Sequence, residues 1–212
     1  MNLLTIYDDL DKNRGEYFAA SHEDLINRLQ YQNIANHQSL NTNKCLEQSI
    51  DFYTPAFDGQ PFIFIAYTHG SSVSVCVSDE DYVHTKNAYL FNKTLFYACC
   101  CLSAQSLGQY LVANGCTVFL GFDARISSCS PETEGVFQDC ENVFIEHFLN
   151  TECSILECQA KMNEKYGQMI SYLSANYSTF EAGILDSNLQ AFRLLCNQEA
   201  ETLTKRHFFS HF

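Results

Sequence analysis

The sequence predicts an α/β fold with a mostly parallel central sheet, and three features carry that expectation. Two runs, Pro61-Phe-Ile-Phe-Ile-Ala-Tyr-Thr-His-Gly70 and Leu95-Phe-Tyr-Ala-Cys-Cys100, are apolar without a polar alternate face. That is the pattern of strands covered on both sides by helices. The third feature is Gly115-Cys-Thr-Val-Phe-Leu-Gly-Phe-Asp123, which follows a stretch where Ala104, Leu107, Gly108, Leu111 and Val112 recur at helical spacing. Strand, helix and strand then form a βαβ unit, for which a right-handed crossover is the rule.

The remaining elements are read in chain order. Leu3 to Tyr7 predict a first strand, ended by Asp8-Asp9. Ser21, with Asp24 three residues on, has the form of a capping box opening a helix through about Leu29. Thr42 to Tyr53 read as a second helix, and Pro55, Asp58, Gly59 and Pro61 as the turn before the His69 strand. Val73, Val75 and Val77 alternate with Ser74, Cys76 and Ser78 at strand period, and Asp79-Glu-Asp81 makes an acidic turn. Ala88 to Phe91 are a short apolar piece, with Asn92-Lys93 as punctuation. From Ser130 the pattern turns helical, with helices expected near 132 to 149, 152 to 175 and 178 to 203. The chain accordingly divides into an α/β core, residues 1 to 128, and a helical part, residues 129 to 212, that packs on the core or binds a partner.

Composition removes several classes of function. With 12 Lys and Arg against 25 Asp and Glu, the net charge of -13 argues against a nucleic-acid surface. The one basic cluster, Lys205-Arg206-His207, is too short to alter that, and a basic partner is the more natural guess. No apolar run is long enough to span a bilayer, and Met1 to Asp9 lack the basic start of a signal peptide, so a cytoplasmic protein without membrane association is expected. The eleven cysteines are odd in number and three are consecutive, which points to reduced thiols rather than a disulfide scaffold. Cys-x-x-Cys is absent and Cys153 and Cys158 are badly spaced for one helix face, so no metal or other cofactor is expected.

Candidate chemistry sits at the ends of the two apolar strands. Open α/β sheets place their sites outside the carboxyl ends of the strands. A thiol there, beside a helix N-terminus, has a dipole that favours thiolate. Cys101 is therefore the candidate nucleophile and His69, ending the neighbouring run, the candidate base. Cys99 is the alternative nucleophile, since strand alternation puts it on the same side as Cys101, with Cys100 opposite. His84 is an alternative base.

An apolar strand ending His69-Gly70, followed by one ending Cys101-Leu102-Ser103-Ala104, resembles the caspase-like cysteine peptidases over roughly residues 60 to 125. The nearest likeness is to the bacterial CHAT-type proteases, although Ala104 stands where glycine is commoner. The resemblance implies a caspase-like α/β/α sandwich and a His69/Cys101 dyad, with the backbone N–H groups of Gly70 and Cys101 as oxyanion donors. It implies an endopeptidase acting on one or a few protein substrates under a regulatory protein partner, in a bacterial defence or regulated-death system. A catalytically inactive interaction module is the alternative. Asp123, at the end of the following strand, is a candidate to bind a substrate Lys or Arg, a helix-capping role being equally compatible. Arg125 would instead receive an acidic residue, which the negative charge of the chain disfavours.

Overall fold

The computed structural model describes residues 1–29, 34, 36–57 and 59–210. Asp58 of the expected turn lies outside them. Along the chain come β1 (Asn2–Tyr7), α1 (Gly15–Arg28), β2 (Asn36–Asn41), α2 (Thr42–Glu47), α3 (Ile50–Tyr53), β3 (Phe62–Tyr67), β4 (His69–Gly70), β5 (Ser74–Val77) and β6 (Glu80–His84). They are followed by β7 (Thr94–Cys99), α4 (Ser106–Ala113), β8 (Val118–Phe122), α5 (Glu134–Asn150), α6 (Ile155–Asn176), α7 (Thr179–Ala191), β9 (Phe192–Cys196), α8 (Gln198–Glu201) and α9 (Lys205–Ser210).

The main sheet has the order β2-β1-β3-β7-β8-β9, parallel throughout except for β9. β3, β7 and β8 are buried at every residue, as their unbroken apolar sequences require. On one face Leu3, Ile63, Tyr97 and Leu120 pack against α1, α5, α6 and α7. On the other, Ile6, Phe64, Phe96 and Phe119 meet α4 and the small antiparallel sheet β4-β5-β6. The result is an α/β/α sandwich. Phe64, Phe91 and Phe96 form an aromatic triangle with centroids 4.5 to 5.0 Å apart. Each such fully buried ring contributes about 1.5–3 kcal/mol of apolar burial.

Four local expectations are corrected. Ser21 does not cap a helix: α1 begins at Gly15, and Ser21 is a fully buried residue in its middle. Asp24, its expected capping partner, instead binds Arg28 and Asn142. The helix expected over 42 to 53 breaks at Gln48-Ser49 into α2 and α3. The tight turn between β5 and β6 falls at Ser78 and Asp79, both with positive φ, and Glu80 and Asp81 already belong to β6. The helix expected over 178 to 203 ends at Ala191, and Phe192–Cys196 join the sheet. The segment after residue 129 thus both covers the sheet and completes its edge.

Among the described residues no helix is long and apolar enough to cross a membrane, and no three potential ligands gather around a metal position. All eleven cysteines are unpaired.

Candidate active site

Three neighbouring parallel strands end together, and each delivers one chemical group. β1 runs into the turn carrying Asp11, β3 leads through Thr68 to His69, and β7 leads through Cys100 to Cys101. The parallel register pairs Tyr67 with Cys99, and His69 and Cys101 each follow two residues beyond that pair. The chain goes outward from β1 to β2 and then returns to β3 on the other side, which makes this the point where strand order reverses. Ligands bind at such points because the strand ends separate there.

The His69 segment is held by the small sheet. His69 pairs with Cys76 and Gly70 with Val75, and Thr68 Oγ1 donates to the Cys76 carbonyl. Asp8, buried at the end of β1, accepts from Thr42 Oγ1 at 2.7 Å and from Ser78 N at 2.8 Å, tying the β5–β6 turn to the main sheet. A Cβ on Gly70 would lie 2.6 Å from Cys100 Sγ and 2.9 Å from the Cys101 carbonyl oxygen. The two backbones touch at Gly70, and only glycine allows the approach.

The Cys101 turn is held by Ser103. Its buried hydroxyl donates to the Cys100 carbonyl at 3.1 Å and accepts from Phe122 N at 3.4 Å, and Ala104 N donates to the Phe122 carbonyl at 3.0 Å. Leu102 adopts φ +62°, a left-handed conformation costing about 1–2 kcal/mol for a residue with a side chain. The Cys101 sulfur receives Ile126 N at 3.4 Å. One expectation fails here. α4 starts only at Ser106, and the amides of Ser106 and Leu107 donate to the Ser72 carbonyl. The helix N-terminus is therefore engaged by Ser72 rather than directed at the thiol.

His69 Nε2 lies 3.2 Å from Asp11 Oδ2, the histidine side chain being 44% exposed and the aspartate 19%. Phe18 packs edge-on against the imidazole at 5.2 Å. Burial alone would raise the Asp11 carboxyl, but the Asn13 and Arg14 amides and His69 hold it below the ordinary range. A carboxylate on Nε2 keeps the proton there and leaves Nδ1 as the basic nitrogen.

A cavity of about 80 Å³ opens between these strand ends, and His69, Cys99, Cys100 and Cys101 all line it. Cys99 is 3% exposed, and burial pushes its thiol well up, beside Glu141. Burial likewise raises the Cys100 thiol. Cys101 is the partly exposed member of the three. Glu141, from α5, also forms part of the wall; burial raises its carboxyl to about 7 against hydrogen bonds that lower it.

Other candidates lie elsewhere. The Asp123 carboxylate pairs with Arg193 at 2.7 Å, beside Gln105, in a separate groove. Arg125 is exposed. His84 stands opposite Ser74 in the small sheet, its Nδ1 accepting from Lys86 N. Asp11 and Glu141 escape sequence reasoning, although each leaves a trace. Asp11 closes the acidic run after the first strand, and Glu141 falls on the apolar helix face marked by Phe137, Phe144 and Phe148.

The sequence matches no protein-family model and no curated protein. Solved structures do resemble it. The Arg-specific cysteine proteinase gingipain R superposes with a TM-score of 0.61 at 11% identity, covering 96% of this chain and 47% of that one. The complex of Porphyromonas gingivalis RgpB pro- and mature domains matches with the same TM-score and identity, over 96% of this chain and 48% of the other. The chain spans about half the length of the proteins it resembles. Strand order, flanking helices and this likeness together identify the fold as the caspase-like α/β/α sandwich found in cysteine proteinases.

Proposed function

We propose that the protein is a cysteine endopeptidase with Cys101 as nucleophile, His69 as proton shuttle and Asp11 as the residue that positions the histidine. The observation that carries this reading is that His69 and Cys101 line one cleft, just beyond the adjacent ends of β3 and β7. Nδ1 of His69 takes the Cys101 proton as the sulfur bonds to the scissile carbonyl carbon. The resulting oxyanion is received by the N–H groups of Gly70 and Cys101. Collapse breaks the C–N bond, and the imidazolium gives its proton to the leaving amine. Water, deprotonated by His69, then adds to the thioester, releasing the acid and restoring the thiol. The partial exposure of Cys101 against the deep burial of Cys99 supports this choice of sulfur.

The Cys101-to-Ala104 motif supports kinship with CHAT-type proteases, and with it cleavage of one or a few protein substrates under a partner's control in bacterial defence or regulated death. Eleven unpaired thiols fit a cytoplasmic setting. A peptidyl electrophile tests the proposal. It labels the wild type and Cys99→Ala, while Cys101→Ala and His69→Ala abolish labelling. Labelling that survives Cys101→Ala but not Cys99→Ala transfers the role to Cys99, and a folded wild type that resists every such probe and cleaves nothing points instead to an interaction module.

A further inference from the structure

The wall of the cleft contains two charged side chains besides those assigned to the reaction, and only one has its valences met. Arg14 Nη1 donates to Ser128 Oγ at 2.7 Å and lies 3.6 Å from Glu134, and its guanidinium covers the Tyr17 ring at 5.8 Å. Glu141 is 4% exposed. Its Oε1 accepts from Tyr17 Oη at 2.8 Å, with the Cys99 thiol facing the same carboxyl. Oε2 makes no hydrogen bond of ordinary geometry and has almost no access to solvent, and the likewise unpartnered Ser21 hydroxyl is the one side-chain donor among the described residues, besides Tyr17 and Cys99, that faces this carboxyl. A buried carboxyl oxygen left without a donor is costly, and a donor arriving through the cavity would relieve that cost. Phe18, Tyr17 and Ile126 supply apolar wall around it, suited to the methylene stem of a long cationic side chain.

We infer that Glu141 is the specificity-determining residue of this cleft, receiving the cationic end of a lysine or arginine that precedes the scissile bond. The inference rests on the peptidase reading. It moves the expected preference for basic residues from Asp123, which Arg193 occupies, to α5, whose Glu141 lines the same cleft as Cys101. An acidic side chain would be repelled by the ionised carboxylate, and an apolar one would leave it unpaired.

Ionisation of Glu141 gives the inference a second signature. Its neighbours are Tyr17 and Arg14 at the start of α1, Tyr67 from β3, Cys99 and Tyr97 from β7, and Cys140 and Tyr166 from α5 and α6. Burial raises all of these phenols and thiols, so the carboxyl is the member of the cluster that changes charge near neutrality. Preference for a cation therefore grows as pH rises through about 7.

The test uses the full chain and four peptidyl acyloxymethyl ketones that differ only in the residue beside the warhead: lysine, arginine, norleucine or aspartate. The wild type is expected to react with the lysine and arginine reagents well ahead of norleucine, and least with aspartate. In Glu141→Gln the lysine-to-norleucine rate ratio falls about 10- to 100-fold. In the wild type that ratio rises between pH 6 and pH 8, and taking a ratio cancels whatever the dyad itself does with pH. Equal reactivity, a preference for aspartate, an unchanged ratio in Glu141→Gln, or a ratio flat with pH overturns the inference while the peptidase stands. Should none of the four label Cys101 while iodoacetamide does, the peptidase reading fails and this inference falls with it.

Discussion

Replacing Glu141 by glutamine should change how the stability of the protein depends on pH, independently of any activity. Burial raises the folded-state carboxyl to about 7, whereas an unfolded glutamate titrates near 4.3. Between those values the folded state holds the proton more tightly, so folding stability is greatest below about pH 4 and is lost as pH rises toward 7. A displacement of this size corresponds to about 4 kcal/mol. Most of it lies between pH 5 and pH 8. Glutamine keeps an oxygen for Tyr17 Oη and cannot ionise, so the variant should lack this slope and gain on the wild type at pH 8. His22 and His37 also titrate, but burial lowers both, giving stability that rises with pH, and they are common to both proteins. Urea denaturation of the two proteins at pH 5 and pH 8 isolates Glu141 as the difference of differences. If the variant follows the wild type at both pH values to within about 0.5 kcal/mol, the carboxyl is not the raised, buried acid described here.

Three further outcomes are expected. Asp11→Asn removes the charge 3.2 Å from His69 Nε2; labelling of Cys101 by a peptidyl electrophile should slow about 10- to 100-fold with little change in stability, and an unchanged rate would leave His69 without need of Asp11. Gly70→Ala puts a Cβ 2.9 Å from the Cys101 carbonyl oxygen; a backbone shift costing about 1–3 kcal/mol should follow, with loss of labelling, and full reactivity would show that the two segments do not touch as described. Ser103→Ala leaves Phe122 N and the Cys100 carbonyl without their hydroxyl partner; urea denaturation should show a loss of about 1–3 kcal/mol, and a variant as stable as the wild type would contradict that pinning role.

The strands that build the site are legible because burial on both faces demands uninterrupted apolar sequence, and β3, β7 and β8 are of this kind. The same argument locates His69 and Cys101, whose placement follows from where those runs stop. β2 is polar, Asn-His-Gln-Ser-Leu-Asn, and pairs only with β1 among the described strands, so alternation and hydropathy do not announce it. Phe192-Arg-Leu-Leu-Cys196 suits a helix as well as a strand, and antiparallel pairing with β8 decides between them. That pairing sets Arg193 opposite Gly121 and within reach of Asp123, so a carboxylate that looks available in the sequence is taken. Ser21 shows the same limit: a capping pattern is local, while its burial within α1 comes from packing.

The order of apolar and polar residues, by itself, determined a parallel α/β layer arrangement and set a histidine and a cysteine at neighbouring strand ends, since both follow from which side chains must leave water. Tertiary structure alone decided that Asp11 meets His69 and that Glu141 enters the cleft wall. Those contacts join distant parts of the chain: Asp11 and His69 are 58 positions apart, and Glu141 is 42 from Cys99. Their existence depends on strand order and on how helices lie across the sheet, which no local pattern encodes.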